Sequence, residues 1–121
     1  EEDKRLGMYF VYLSQDEQKV WLAAYYELIN NTSDLGLLLG YPQCCVDFFH
    51  QHFSDNNPDL ELKPTNLYTN LSKREQDAVL ISHFPCHSDC EHSVALGKRC
   101  MDILKKADAQ RAQELIDMLT V

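Results

Sequence analysis

Two chain breaks marked by proline, each followed at once by cysteines, constrain this sequence more than any other feature. The first is Gly40-Tyr41-Pro42-Gln43-Cys44-Cys45. The second is His83-Phe84-Pro85-Cys86-His87-Ser88-Asp89-Cys90-Glu91-His92. Both share one grammar: a break, a proline, then cysteine where a new helix should begin. A helix start carries unpaired N–H groups and partial positive charge. Both stabilise a thiolate, the form that metal ligation and nucleophilic chemistry require. Cys44, Cys45, Cys86 and Cys90 are therefore expected to converge on one site, which requires the chain to fold back across about 40 residues.

A chain of 121 residues with 45% apolar content suits a single domain, residues 1–121, with its own core. No stretch reaches the ~20 apolar residues of a membrane span. Net charge is −8, from 11 Lys and Arg against 19 Asp and Glu. The basic residues of the C-terminal third are interleaved with Asp102, Asp108 and Glu114, so a basic stripe for nucleic acid is absent. The expected partners are a protein or a small-molecule substrate, with neither nucleic acid nor membrane. The opening residues lack the apolar run of a signal peptide. The first residue is not Met, as expected where upstream sequence has been removed. Cysteines in apolar, helix-like surroundings point to a reducing, cytoplasmic setting.

The periodicity predicts a mainly α domain of four to five helices. Residues 8–13 read as a short strand or an apolar lead-in. Ser14 and Glu17 match a capping box for a first helix with Val20, Trp21, Ala24, Leu28 and Ile29 on its buried face, ending near Asn30-Asn31. Residues 35–39 read as a short buried turn that Gly40-Tyr41-Pro42 breaks. Pro42 suits the first position of a helix running to about Phe53. A loop at residues 55–59 and an irregular stretch anchored by Leu60, Leu62 and Leu67 follow. Ser72 and Glu75 form a second capping box, opening a helix to about Ser82. From Pro85 one long helix is expected through Leu119, packed on the Ser14-capped helix. Gly97 within it should admit a close neighbour.

Three chemistries compete for the cysteines. In the favoured one they bind a metal: zinc in a tetrahedral set that His83 or His87 could complete, or an iron–sulfur cluster on three cysteines. Such a domain would act as an enzyme accessory or a small enzyme. The spacing matches no standard zinc-finger or ferredoxin pattern. It is similar to part of a radical-enzyme cluster loop, but Ser93 stands where the last cysteine would, and the chain is too short for that barrel. In the second, Cys44 or Cys45 pairs with Cys86 or Cys90 as a disulfide staple or thiol redox pair, worth roughly 3–4 kcal/mol for a loop of this length. In the third they are inert core residues, which suits the solitary Cys100. Cys45 and Cys86, at expected helix starts, should be the most perturbed thiols. His50, His52 and His92 read as solvated positions.

The motifs resemble those of an uncharacterised family known mainly from archaea and some bacteria. Its members carry a Gly-Tyr/Ile-Pro-x-Cys-Cys segment followed by Phe, an Asn-x-Leu-Tyr-like segment, and His-x-Pro-Cys-x3-Cys-x2-Ser. Here these correspond to Gly40 to Cys45 with Phe48-Phe49, to Asn66-Leu67-Tyr68, and to His83 through Cys86, Cys90 and Ser93. The resemblance spans roughly residues 20–105. It implies that the cysteines act as one unit and supplies no activity.

Overall fold

The structure, a computed structural model, describes residues 9–54 and 62–121. Five α-helices follow one another: α1 (Glu17–Leu28), α2 (Thr32–Leu38), α3 (Gln43–His52), α4 (Glu91–Ala107) and α5 (Ala109–Leu119). No strand occurs among the described residues, and residues 9–13 carry no regular structure. Met8, the loop at 55–59 and Leu60 lie outside the described residues. The mainly α expectation holds.

The first three helices are joined by two tight reversals of the same kind. Asn30, at φ 60°, ends α1: its N–H bonds the Glu27 carbonyl at 3.2 Å, and the Asn31 N–H reaches Tyr26 at 2.8 Å. This is a Schellman closure, which needs one left-handed residue. Asn31 then caps α2, accepting from the Asp34 N–H at 3.2 Å. Gly40, at φ 85°, repeats the closure after α2, with the Tyr41 N–H on the Gly36 carbonyl at 3.0 Å. Pro42 is therefore the cap residue of α3 rather than its first helical residue. Its carbonyl accepts from Cys45 and Val46, each at 3.0 Å. The two reversals stack α1 on α2 and α2 on α3.

The first helix departs from expectation. Asp16 caps it, accepting from the Gln18 N–H at 2.9 Å, while Ser14 accepts from the Asp16 N–H at 3.0 Å. Ala23 is its buried residue. Trp21, Tyr25 and Leu28, one face at helical spacing, stand 69%, 54% and 85% exposed. The apolar stripe thus faces outward, because α1 packs on α2 and makes no helix contact with α4 or α5.

Two further expected helices are redrawn. The second capping box yields one 3₁₀ turn, Arg74–Gln76, which Asp77 ends at φ 56°. The chain then continues without regular structure, burying Ala78, Leu80 and Ile81. The long C-terminal helix breaks at Asp108, whose φ of −154° ends α4 and whose carboxylate accepts from the Arg111 N–H at 3.0 Å to cap α5. One residue able to end a helix and cap the next outweighs an unbroken apolar periodicity. The resulting α4–α5 hairpin closes the main core of Ala78, Leu80, Met101, Ala112, Leu115 and Leu119.

Gly97 does admit a close neighbour. A Cβ there would lie 2.7 Å from Tyr68 Cβ and 2.8 Å from the Tyr68 carbonyl oxygen. Backbone cannot move aside as a flexible side chain can. Gly97→Ala should therefore lower stability by about 1–3 kcal/mol through overpacking, despite gaining about 1 kcal/mol in helix propensity. Thermal melts of the variant check this, and an unchanged or raised Tm would contradict the close approach.

Candidate metal centre

The two cysteine segments meet where the α1–α3 unit faces the α4–α5 hairpin. The Gly40 reversal and the Pro42 cap put Cys44 and Cys45 in the first turn of α3. Cys90 is the cap residue of α4, and Cys86 lies in the loop before it. This corrects the expectation of one long helix starting at Pro85. The Ser88 hydroxyl donates to the Lys63 carbonyl at 2.6 Å.

That loop is held by the Asn66 segment. Asn66 Nδ2 donates to the Ser88 carbonyl at 2.8 Å, and the Thr69 hydroxyl donates to the same oxygen at 2.5 Å. Asn66 Oδ1 accepts from the N–H groups of Tyr68 and Thr69 at 2.9 and 3.1 Å. Thr65 donates to Asp89 at 2.6 Å. A short polar side chain thereby organises its own turn and pins the loop that carries Cys86 to the start of α4.

The four sulfurs of Cys44, Cys45, Cys86 and Cys90 lie within 4.8 Å of one another. Cys44 and Cys45 each stand 3.7 Å from Cys90, and 3.9 Å from each other. All five cysteines are free. These separations are far beyond the ~2.05 Å of a disulfide, so the staple reading has no bonded pair. The set is compatible with metal binding. Cys100 is exposed on α4, apart from the site.

The histidines divide. His87 is exposed and is not among the converging ligand atoms. His83 is buried at 8% exposure, packs against Tyr41 in a tilted ring pair with centroids 5.1 Å apart, and sets its Nε2 2.8 Å from the Ser93 hydroxyl. Burial lowers its pKa, keeping the ring neutral at pH 7. Ser93, fully buried, also lies 3.2 Å from the Cys45 sulfur. A hydroxyl has one proton. With Cys45 as a thiolate, Ser93 donates to sulfur and accepts from His83, which fixes the Nε2–H tautomer. Ser93 entered the sequence reading only as a replaced cysteine and part of a motif. Its one local signal is its place three residues after Cys90, on the same face of the α4 start.

Cys45 and Cys86 are both perturbed, as expected, but upward, and the lowered thiol is Cys90. Burial pushes Cys45 well up, against hydrogen bonds from Ser93 and the Cys86 N–H. Burial also raises Cys86, to about 11, helped by Cys90 and Cys44. Burial works against the Cys90 thiolate too, but its neighbours Ser93, Cys45 and Cys86 outweigh it, bringing Cys90 down to about 6. Four adjacent thiols release one proton readily and resist losing more, because each further thiolate meets the first. A bound cation reverses that penalty.

The family described as "Protein of unknown function (DUF483)" matches residues 15–120. The chain belongs to the DUF483 family. The match covers every one of the five helices, so the family unit is the whole helical domain, cysteine site included. No curated protein and no solved structure matches the chain. No described helix is long and apolar enough to cross a membrane.

Ser93→Ala should leave Cys45 and His83 each short of a partner inside the protein. The expected cost is about 1–3 kcal/mol for the orphaned polar groups and a ~10–100-fold loss of metal affinity from the missing support. Chelator competition alongside thermal melts measures both. A variant with unchanged affinity and Tm would remove Ser93 from the site.

Proposed function

We propose that this domain binds one zinc ion in a tetrahedral site of Cys44, Cys45, Cys86 and Cys90, and that the site fastens its two helical units together. The observation that carries this is the sulfur spacing. Zn–S bonds of about 2.3 Å in a tetrahedron require sulfurs about 3.8 Å apart. Three of the separations here are 3.7, 3.7 and 3.9 Å. A cubane iron–sulfur cluster takes each thiolate on a different iron and needs its ligands spread wider, so a single ion fits better. Four thiolates fill a tetrahedron without help from His83, which instead supports Cys45 through Ser93.

The fold gives the ion a role. No helix of the first unit packs along α4 or α5. Across the joint run the sulfur cluster, the Cys45–Ser93–His83 chain, and the stacking of Phe84 on Phe49 at 6.0 Å between centroids. Metal binding between segments distant in sequence is folding free energy. The reading is therefore a zinc-dependent domain, serving as an accessory unit or a small enzyme.

Native mass spectrometry of the protein should find one zinc per chain. Cys45→Ser, Cys86→Ser and Cys90→Ser should each lose it and lower the Tm, whereas Cys100→Ser should keep it. Chelator should lower the wild-type Tm, and reductant alone should not. Loss of stability to reductant in a metal-free protein would favour the disulfide reading instead.

A further inference from the structure

The four sulfurs are not equivalent. Cys45 and Cys90 are buried, at 1% and 2% exposure, Cys86 is half-buried, and Cys44 is exposed. Cys45 accepts the Cys86 N–H at 3.3 Å and lies 3.2 Å from the Ser93 hydroxyl. The Cys90 sulfur lies 3.7 Å from both Cys44 and Cys45 and is closed off by burial. Cys44 touches other thiols, and among the described residues no hydroxyl or backbone N–H reaches its sulfur. Hydrogen bonds stabilise the lone pairs of a thiolate, and a more stabilised thiolate is a weaker nucleophile. In a metal-bound set, where every sulfur is deprotonated, the sulfur without donors and open to solvent keeps the most reactive lone pair.

Cys44 also borders a surface cavity of about 660 Å³ between the starts of α3 and α4. Gln43, Asp47, His92, Leu96 and Arg99 line it. Gln43 donates to the Asp47 carboxylate at 2.9 Å, which occupies one of that carboxylate's oxygens. Arg99 supplies a permanent positive charge. The cavity thus sets a guanidinium and an apolar wall beside an accessible sulfur.

Building on the zinc reading, we infer that Cys44 is a metal-activated nucleophile that accepts an alkyl group from a small electrophile with an anionic leaving group bound in this cavity. A lone pair of Cys44 Sγ attacks the alkyl carbon. The C–S bond forms as the bond from carbon to the leaving group breaks, and the leaving group departs with that electron pair toward Arg99. No proton moves, because the sulfur is already a thiolate, and Cys44 ends as a thioether. Cys45 and Cys90 stay shielded by burial, and Cys86, half-buried, does not line the cavity.

The test treats the zinc-loaded full chain with methyl methanesulfonate. Peptide mass spectrometry follows each cysteine in time, and native mass spectrometry follows the zinc. Cys44 should gain a methyl group at least tenfold faster than Cys45, Cys86 or Cys90, with zinc retained. It should also outpace Cys100, the exposed thiol outside the site. Arg99→Ala should slow Cys44 several-fold while leaving zinc content and the Cys100 rate unchanged. Equal rates across the four site cysteines would overturn the inference, as would a Cys44 slower than Cys100 or methylated only in zinc-free molecules. A chain that takes up no zinc overturns the zinc reading and this inference together. A zinc-bound chain with an inert Cys44 overturns the inference alone.

Discussion

The convergence of four sulfurs at the joint between two helical units is the constraint on which the rest of this structure depends. The α1–α3 unit is built by local reversals, and the α4–α5 hairpin by a single capping aspartate. Neither unit lays a helix on the other. What joins them is concentrated where the start of α3 faces the start of α4, with Tyr41 against His83 and Phe49 against Phe84 flanking the thiols. Small contact areas give limited hydrophobic stabilisation. A cation bridging both units would therefore contribute a large share of the stability of the joint.

The supporting residues are graded in a way that matters for chemistry. Cys45 sits at the buried end of a polar chain through Ser93 to a neutral His83. Cys44, its neighbour in sequence, is turned to the surface by the helical rotation between adjacent residues. One helix start thus supplies a shielded sulfur and an open one. A vicinal pair is an economical means to that end, since adjacent side chains of a helix point about 100° apart. The exposed stripe of Trp21, Tyr25 and Leu28 is a separate feature, fixed by the packing of α1 on α2 rather than by the site.

Much of the site was legible in the sequence because its parts are local. Proline after a break, with cysteines within the next five residues, is a signal contained in a short segment, and it identified all four thiols. Gly97 was legible for the same reason: a glycine inside a strong helical pattern costs stability unless something needs the space. Tyr68 is what needs it. The errors lie where local signals competed. Ser72 and Glu75 promised a helix, but after one turn the chain leaves regular structure and buries Ala78 and Leu80 in the core under the hairpin. Apolar periodicity ran unbroken through Asp108, yet folding the helix back on itself buries Met101 against Leu115, which a straight helix of that length leaves in water.

By itself the sequence determined the mainly helical class, the breaks near Asn30 and at Gly40, and the four thiols as one candidate unit, because each follows from backbone chemistry within a few residues. Tertiary structure alone decided which sulfurs are shielded, that Cys90 rather than Cys86 stands at a helix start, and that His83 serves Ser93 while His87 faces solvent. It alone brought Asn66 onto the Ser88 carbonyl and turned the apolar face of α1 outward. These depend on which surfaces meet after the chain folds back across some 40 residues. Burial and hydrogen-bond partners are properties of that meeting, and no spacing along the chain encodes them.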